Sequence, residues 1–366
     1  TEPVRASMNR PRRVAVLANV SRRFDRRVIQ GVTAYMWERG GWSLYVEEDP
    51  LQKLPKLQQW DGDGVIADLD DRKIAVAVRG LAIPVIGFGG GRGWYDPACG
   101  AHYFTTDNAA IGRLAADHLL DCGFIQLAFY GNPPHRRARW SEEREQAFGQ
   151  RAAAAQVPCV VYHGRHADAH HWLQQLRELS AWLKSLPKPI GLMACTDIRA
   201  RQVLEACRTS GIRVPDEVAV IGVDNDEMIC ELTTPPLSSI EQGSRQIGYQ
   251  AASLLDRLMA GRAPRPARHV IPPESWIARQ STDVLAGDDA QLAQAIRFVR
   301  EHACDPITVA DVLRLIPLSR STLENRFRAS LGRTIHAEIQ RGQVEQARQL
   351  LIHTDLPIKQ IAPRCA

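Results

Sequence analysis

The feature that most constrains the fold is a repeated exchange of two periodicities. Short, continuous apolar runs alternate with longer stretches that carry apolar residues at helical spacing. Val218-Ala219-Val220-Ile221-Gly222-Val223-Asp224-Asn225-Asp226 shows the pattern in one place. A run this apolar and β-branched suits a strand buried on both faces. Its carboxyl end turns abruptly polar. In open parallel α/β sheets, ligands sit beyond the carboxyl ends of the strands. Asp224 and Asn225 are therefore candidate floor groups of a small-molecule cleft. The competing reading is that Asp224 caps the following helix.

The alternation begins at Val14-Ala15-Val16-Leu17, followed by a loop with Asn19, Ser21 and Phe24 and a helix from about Asp25 to Arg39. Further strands are expected at 43–47, 64–67, 83–88 and 103–105, with a helix over 109–120 that Asp107 would cap. A second set follows: strands at 126–130, 158–162, 190–195 and 218–223, with helices over 141–154, 169–186, 197–210 and 244–258. Strand and helix alternating at this spacing means βαβ units and parallel sheets, and two sets in succession mean two lobes. Two short strands are expected near Val270 and Trp276. Alternation stops near Ser281, and from Asp289 the pattern is purely helical. The expected organisation is a tail at 1–11, a two-lobed domain at 12–281, a linker at 282–288 and a helical domain at 289–366. A chain of 366 residues exceeds one ordinary core, which agrees with this division.

Bulk properties exclude several classes. No apolar run approaches the roughly 20 residues of a membrane span, and no secretory leader is visible, so a cytoplasmic protein is expected. Eight scattered cysteines without a Cys-x-x-Cys pair argue against a zinc site and for a reducing compartment. His163, His166, His170 and His171 crowd one strand–helix junction without regular ligand spacing, so no metal is assigned. Gly87-x-Gly89-Gly90-Gly91 follows a strand but lacks the Gly-Lys-Ser/Thr of a phosphate loop. No nucleophile stands out and no cofactor is expected. The net charge of +5 neither demands nor excludes nucleic acid.

In the helical region, Ile307 to Leu313 reads as a short amphipathic helix with Thr308 as its cap. A break at Ile316-Pro317-Leu318 separates it from a second helix over Ser319 to Leu331. Leu323 and Phe327, four apart, would face the core, leaving Arg320, Ser321, Glu324, Asn325 and Arg328 to face outward or to contact DNA. Arginine reads guanine edges, glutamate accepts from cytosine, and further arginines neutralise phosphate. Periodicity alone fits a helix-turn-helix or a small oligomerisation module equally.

Ser319-x-x-x-Leu323-x-x-Arg326-Phe327-Arg328, then Leu331-Gly332-Arg333-Thr334, resembles the first helix-turn-helix of AraC/XylS-type transcription activators. Gln346-Ala347-Arg348-Gln349-Leu350-Leu351 and Leu356-Pro357-Ile358-Lys359-Gln360-Ile361-Ala362 look like their connecting helix and the start of a second unit. The upstream part is similar to LacI/periplasmic-binding-type sugar sensors. The domain order, with Trp60-Asp61-Gly62-Asp63-Gly64, Arg139-Trp140-Ser141-Glu142-Glu143-Arg144 and Ser244-Arg245-Gln246-Ile247-Gly248-Tyr249, resembles the xylose-operon activators of bacteria over nearly the whole chain. The resemblance implies a regulator that takes D-xylose or a similar pentose between two lobes, binds operator DNA, acts on RNA polymerase and dimerises. It implies sugar contacts from Asn19, Phe24, Asp68 and Asp70 of the first lobe and Trp140, Arg144, Asp197, Asp224 and Asn225 of the second. Carboxylates and amides suit sugar hydroxyls, which donate and accept, and an aromatic ring suits the apolar face of a pyranose. Each residue keeps a plainer alternative: a helix staple for Phe24, a cap for Asp197, a solvated acid at Asp68, an ion pair for Arg144. Two readings from other classes also stand, a sugar receptor with a helical interaction tail and an α/β enzyme acting on a sugar.

The sequence departs from that family at its end. The second reading helix is not found after Cys365-Ala366, Pro363 should break a helix, and Pro317 stands where a glycine is usual. For a protein that is complete as this sequence stands, the expectation is weakened operator binding with a shallower salt dependence.

Overall fold

The structure is a computed structural model that describes residues 10–47, 57–89, 101–133, 138–165, 171–262, 264–265, 267–283, 289–302, 305, 307–331, 333–353 and 356–365. The chain divides into two compact units, Thr1–Val284 and Leu285–Ala366.

Among its described residues the first unit holds two six-stranded sheets. One has the order β11 (Arg268–Ile271), β5 (His102–Thr106), β4 (Val85–Gly89), β3 (Gly64–Asp68), β1 (Arg12–Leu17), β2 (Trp42–Val46), and every pair is parallel. The other has the order β12 (Ser275–Ile277), β10 (Ser238–Glu241), β9 (Val218–Val223), β8 (Ile190–Ala194), β6 (Leu127–Tyr130), β7 (Cys159–Tyr162). It is parallel except for β12, which runs antiparallel to β10. All six residues of β9 are buried, as a strand covered on both faces requires.

Helices α1 (Arg23–Arg39) and α2 (Arg72–Ala77) belong to the first lobe. Helices α3 (Asn108–Asp121), α4 (Arg139–Ala154), α5 (Trp172–Ser185), α6 (Asp197–Ser210) and α7 (Glu227–Leu232) belong to the second. Helix α8 (Ser244–Met259) returns to the first lobe and packs along α1. The α1–α8 crossing is tight enough to need glycine on both sides. A Cβ on Gly31 would lie 1.9 Å from the Arg245 carbonyl oxygen, and one on Gly248 1.9 Å from that of Val28.

Among the described residues the chain crosses between lobes three times: β5 to α3, β10 to α8, and β11 to β12. The crossings are hydrogen-bonded to one another. Asp107 N–H donates to the Ile271 carbonyl at 2.8 Å, and Glu274 N–H to that of Glu241 at 3.0 Å. Gly243 takes φ +74 at the second crossing, where a Cβ would meet the Pro272 carbonyl oxygen at 2.5 Å.

The second unit contains α9 (Ala290–Glu301), α10 (Val309–Leu315), α11 (Arg320–Leu331), α12 (Ile335–His353) and α13 (Ile358–Ile361). Leu292, Ile296, Val299, Val312, Leu323, Phe327, Ile335 and Ile339 form its core. Thr308 N–H donates to Asp311 at 2.7 Å, the return half of a capping box that starts α10. Proline at 317 is accommodated because Ile316 before it is extended (φ −113, ψ 123) and Leu318 N–H closes a tight turn on the Ile316 carbonyl at 2.7 Å. No left-handed residue is needed there. Pro363 falls in a 3-10 turn, Ala362–Arg364, that follows α13. Along α12 the apolar residues of the first half are buried, Ile335 and Ile339 among them, whereas Val344 and Leu351 further along are exposed.

Candidate functional site

A cavity of about 320 Å³ opens between the two lobes, at the carboxyl ends of both sheets. That is the small end of the ~300–1,000 Å³ range of small-molecule sites.

The first lobe contributes the loop after β1 and the end of β3. Asn19 Oδ1 accepts from the backbone N–H and the hydroxyl of Ser21 at 3.0 and 2.6 Å, and the Arg22 N–H donates to the Asn19 carbonyl. This local turn pushes Ser21, Arg22, Arg23 and Phe24 to the cavity wall. Asp68 and Asp70 close the wall from β3. Tyr103 donates its hydroxyl to Asp70 Oδ1 at 3.0 Å, and Arg22 pairs with Asp68 Oδ2 at 3.0 Å. Gly89 leaves room for Asp70, whose Cγ would stand 2.5 Å from a Cβ there. Burial pushes the Asp68 carboxyl up to about 8, helped by the neighbouring charges of Asp25 and Asp70 and opposed by Arg22. Asp71, the next acid along, caps α2 through the N–H of Lys73 at 2.8 Å.

From the second lobe come Trp140 and Arg144 on α4, Asp197 at the start of α6, Asp224 after β9 and Gln242 after β10. Arg144 is fully buried. Its guanidinium donates to Asn108 Oδ1 (3.1 Å), the Cys195 carbonyl (2.6 Å) and Gln242 Oε1 (2.8 Å), and it stacks 4.7 Å from the Trp140 ring. Gln242 Nε2 in turn donates to Asp224 Oδ1. Asn108 and Gln242 stand on two of the three interlobe crossings, so one arginine ties the cavity to the hinge. Burial pushes Asp224 up to about 7, although Arg144 and the Gln242 bond oppose the shift.

Asp197 has little free capacity. Its Oδ1 accepts from the Ser239 hydroxyl at 2.5 Å and its Oδ2 from the Asp226 N–H at 2.7 Å. Burial, then the nearby Asp224, holds its pKa well above the usual carboxylate range. A Cβ on Gly222 would sit 2.2 Å from Asp197 Oδ1, so β9 needs glycine at that point.

Seven of the nine expected sugar contacts thus line one cavity: Phe24, Asp68, Asp70, Trp140, Arg144, Asp197 and Asp224. Asn19 and Asn225 do not. The Asn19 side-chain oxygen is held by its own turn. Asn225 points behind the wall, where Oδ1 accepts from Arg279 at 2.9 Å and the backbone N–H donates to Ser239 at 2.9 Å. Sequence reasoning missed Arg22, Arg23 and Gln242. Gln242 follows a strand, β10, whose Ser-Ser-Ile-Glu sequence hides it from an apolar-run search, because both serines are buried through hydrogen bonds. The Arg22-Arg23 pair beside Phe24 was the signal available for the other two.

Elsewhere, His163 pairs with Glu145 at 2.6 Å, while His166, His170 and Gly90–Gly93 lie outside the described residues. On α11, Arg320, Ser321, Asn325 and Arg328 are exposed, but Glu324 is half-buried and one of its oxygens is enclosed. Arg326 pairs with Asp289 at 2.9 Å. No helix among the described residues is long and apolar enough to cross a membrane.

Two parallel α/β lobes, three crossings and a polar interlobe cavity define a two-lobed small-molecule sensor of the periplasmic-binding type. Domain comparison agrees: a periplasmic binding protein-like domain matches residues 116–282 and a XylR N-terminal domain matches residues 13–109. The chain belongs to the xylose operon regulatory protein family. It is 40% identical to the xylose operon regulatory protein of Escherichia coli (strain K12) over 96% of this chain and 90% of that protein. It is 38% identical to that of Haemophilus influenzae over 96% of this chain and 92% of that protein. The solved structure of the xylose-binding transcription activator xylR superposes with a TM-score of 0.75 at 39% identity, covering 96% of this chain and 91% of that one. A periplasmic binding protein/LacI regulator from Alkaliphilus metalliredigens, complexed with D-xylulofuranose, shares the fold at a TM-score of 0.57 and 22% identity, over 75% of this chain and 100% of that one.

Proposed function

We propose that this regulator binds D-xylose in the interlobe cavity and activates xylose catabolism genes by binding operator DNA through α10 and α11. The observation that carries the reading is the chain Asp224–Gln242–Arg144–Asn108, which runs from the cavity wall to two hinge crossings. A ligand gripping both lobes stabilises the closed arrangement by its differential affinity for it. The wall chemistry suits a neutral polyol: carboxyls accept, guanidinium and amide groups donate, and Phe24 and Trp140 offer apolar faces. Cavity size favours a monosaccharide. The names of the two relatives and of the xylR structure support a pentose over other sugars.

Arg320, Ser321, Asn325 and Arg328 are the proposed DNA contacts, with Glu324 in a supporting place. A homodimer acting on RNA polymerase in the cytoplasm, with no catalytic turnover, completes the proposal. The test is thermal unfolding of the full chain with D-xylose, L-arabinose and D-glucose. Xylose at about 100 times Kd should add about 2.7 kcal/mol of stability and the other two less, and Asp224→Ala should remove the shift while leaving a folded protein. Absence of a shift with every pentose would defeat the reading.

A further inference from the structure

We infer that Arg279 is a positioning residue that passes occupancy of the cavity to the segment through which the chain leaves the sensor. The inference rests on the reading that a pentose occupies the cavity. Asp224 and Asn225 are consecutive, both non-glycine and both at positive φ, +118 and +47. Such backbone persists only where its surroundings hold it, and it clusters at switch regions. The first of the pair turns its carboxyl into the cavity; the second turns its amide away from it.

On the far side, Arg279 bridges the strained pair to the exit segment. Its guanidinium donates to Asn225 Oδ1 at 2.9 Å and to the Leu237 carbonyl at 2.9 Å. The residues that follow it are clamped on β9 and β10. The Ser238 hydroxyl accepts from the Arg279 N–H at 2.8 Å and donates to the Arg279 carbonyl at 2.9 Å. The Ser281 hydroxyl donates to the Val220 carbonyl at 2.6 Å, and Thr282 reaches the Ser238 hydroxyl at 2.8 Å. The second unit begins at Leu285. Most of these clamps hold the exit segment to strand bodies, which are the rigid part of the sheet. The Asn225–Arg279 bond alone among them holds it to the loop that changes when Asp224 takes a hydroxyl. Rotation of the peptide between Asp224 and Asn225 displaces Oδ1, and a guanidinium that also holds the Leu237 carbonyl must follow or release one of its two acceptors.

The experiment is hydrogen exchange of the full chain with and without D-xylose, reading peptides over 222–228 and 279–289 separately. In the natural sequence both sets should respond, the second by about fivefold or more, the lower range of allosteric coupling. Arg279→Met should keep the response at 222–228 and lose it at 279–289, whereas Arg279→Lys, which retains a donor, should restore part of it. If Arg279→Met does not fold, Asn225→Gly removes the acceptor, tolerates positive φ, and should give the same split. A full response at 279–289 in Arg279→Met or Asn225→Gly overturns the relay. So does a natural protein that responds at 222–228 alone. Silence at both places would remove the pentose reading itself.

Discussion

Replacing Arg144 by Met should damage both folding and sugar binding, and the structure says by how much. The guanidinium holds three acceptors: Asn108 Oδ1, the Cys195 carbonyl and Gln242 Oε1. Each bond to a charged donor contributes about 1.5–3 kcal/mol in isolation. A simple sum overstates the loss. Gln242 lines the cavity, where water can replace the arginine, and Asn108 Oδ1 keeps the Thr106 hydroxyl as a donor at 3.2 Å, while the buried Cys195 carbonyl loses its partner. Removing one partner of a buried charged cluster costs about 3–5 kcal/mol, and that is the expected fall in unfolding free energy. There is a second effect at Asp224. Arg144 is the largest influence that lowers its pKa from the value burial alone would impose. Without it Asp224 should titrate above about 7 and carry a proton at neutral pH, losing its strength as an acceptor. Denaturant unfolding gives the first quantity and calorimetric titration with D-xylose the second. Arg144→Lys should rescue little, because an ammonium cannot reach three acceptors in one plane. An unfolding free energy within about 0.5 kcal/mol of the natural protein's, the ordinary surface-substitution range, together with unchanged xylose affinity, would refute the account.

Further outcomes follow from the same geometry. Asp68 and Asp224 have raised pKa values, about 8 and about 7. The stability they contribute is full below pH 3.8 and is lost progressively as pH rises from there through the folded values of about 7 and about 8, so the melting temperature without sugar should fall between about pH 5 and pH 8 and level off above, and Asp68→Asn should flatten that fall; a rising profile would contradict it. Gly31→Ala forces a methyl onto the Arg245 carbonyl and should destabilise the sensor by about 1–3 kcal/mol or more, as overpacking does; an unchanged unfolding midpoint would show that the helices can part freely. Removing Arg320 or Arg328 should each reduce the slope of log affinity against log salt, on duplex DNA, by about 1 if the side chain meets a phosphate. Slopes equal to that of the natural protein would take those residues off the DNA.

How much of this was legible in the sequence follows from what each element buries. Strands with two covered faces, such as Val218–Val223, announce themselves as apolar runs. β10 did not, because Ser238 and Ser239 are buried through specific bonds that only the folded neighbours supply. Short α2 and α7, at six residues each, carry too little periodicity to read. In the site, acids at strand ends were visible by position. Arg22 reaches the cavity only because Asn19 folds the loop, and the inward or outward aim of Asn225 depends on a positive φ. The side-chain roles proposed for the site came from the resemblance, because periodicity carries none.

The threading of the chain also orders its assembly. The first sheet is built from residues near the start, yet the helix that covers its face, α8, and its edge strand, β11, are translated only after the second sheet's central strands. During synthesis, with the earliest domain ordinarily folding first, the emerging amino-terminal half must keep the Gly31 side of α1 bare until Gly248 leaves the ribosome. Neither lobe is finished before residues 268–277 arrive, so a prematurely released polypeptide of some 240 residues would display two unfinished sheets to the cell's chaperones and proteases.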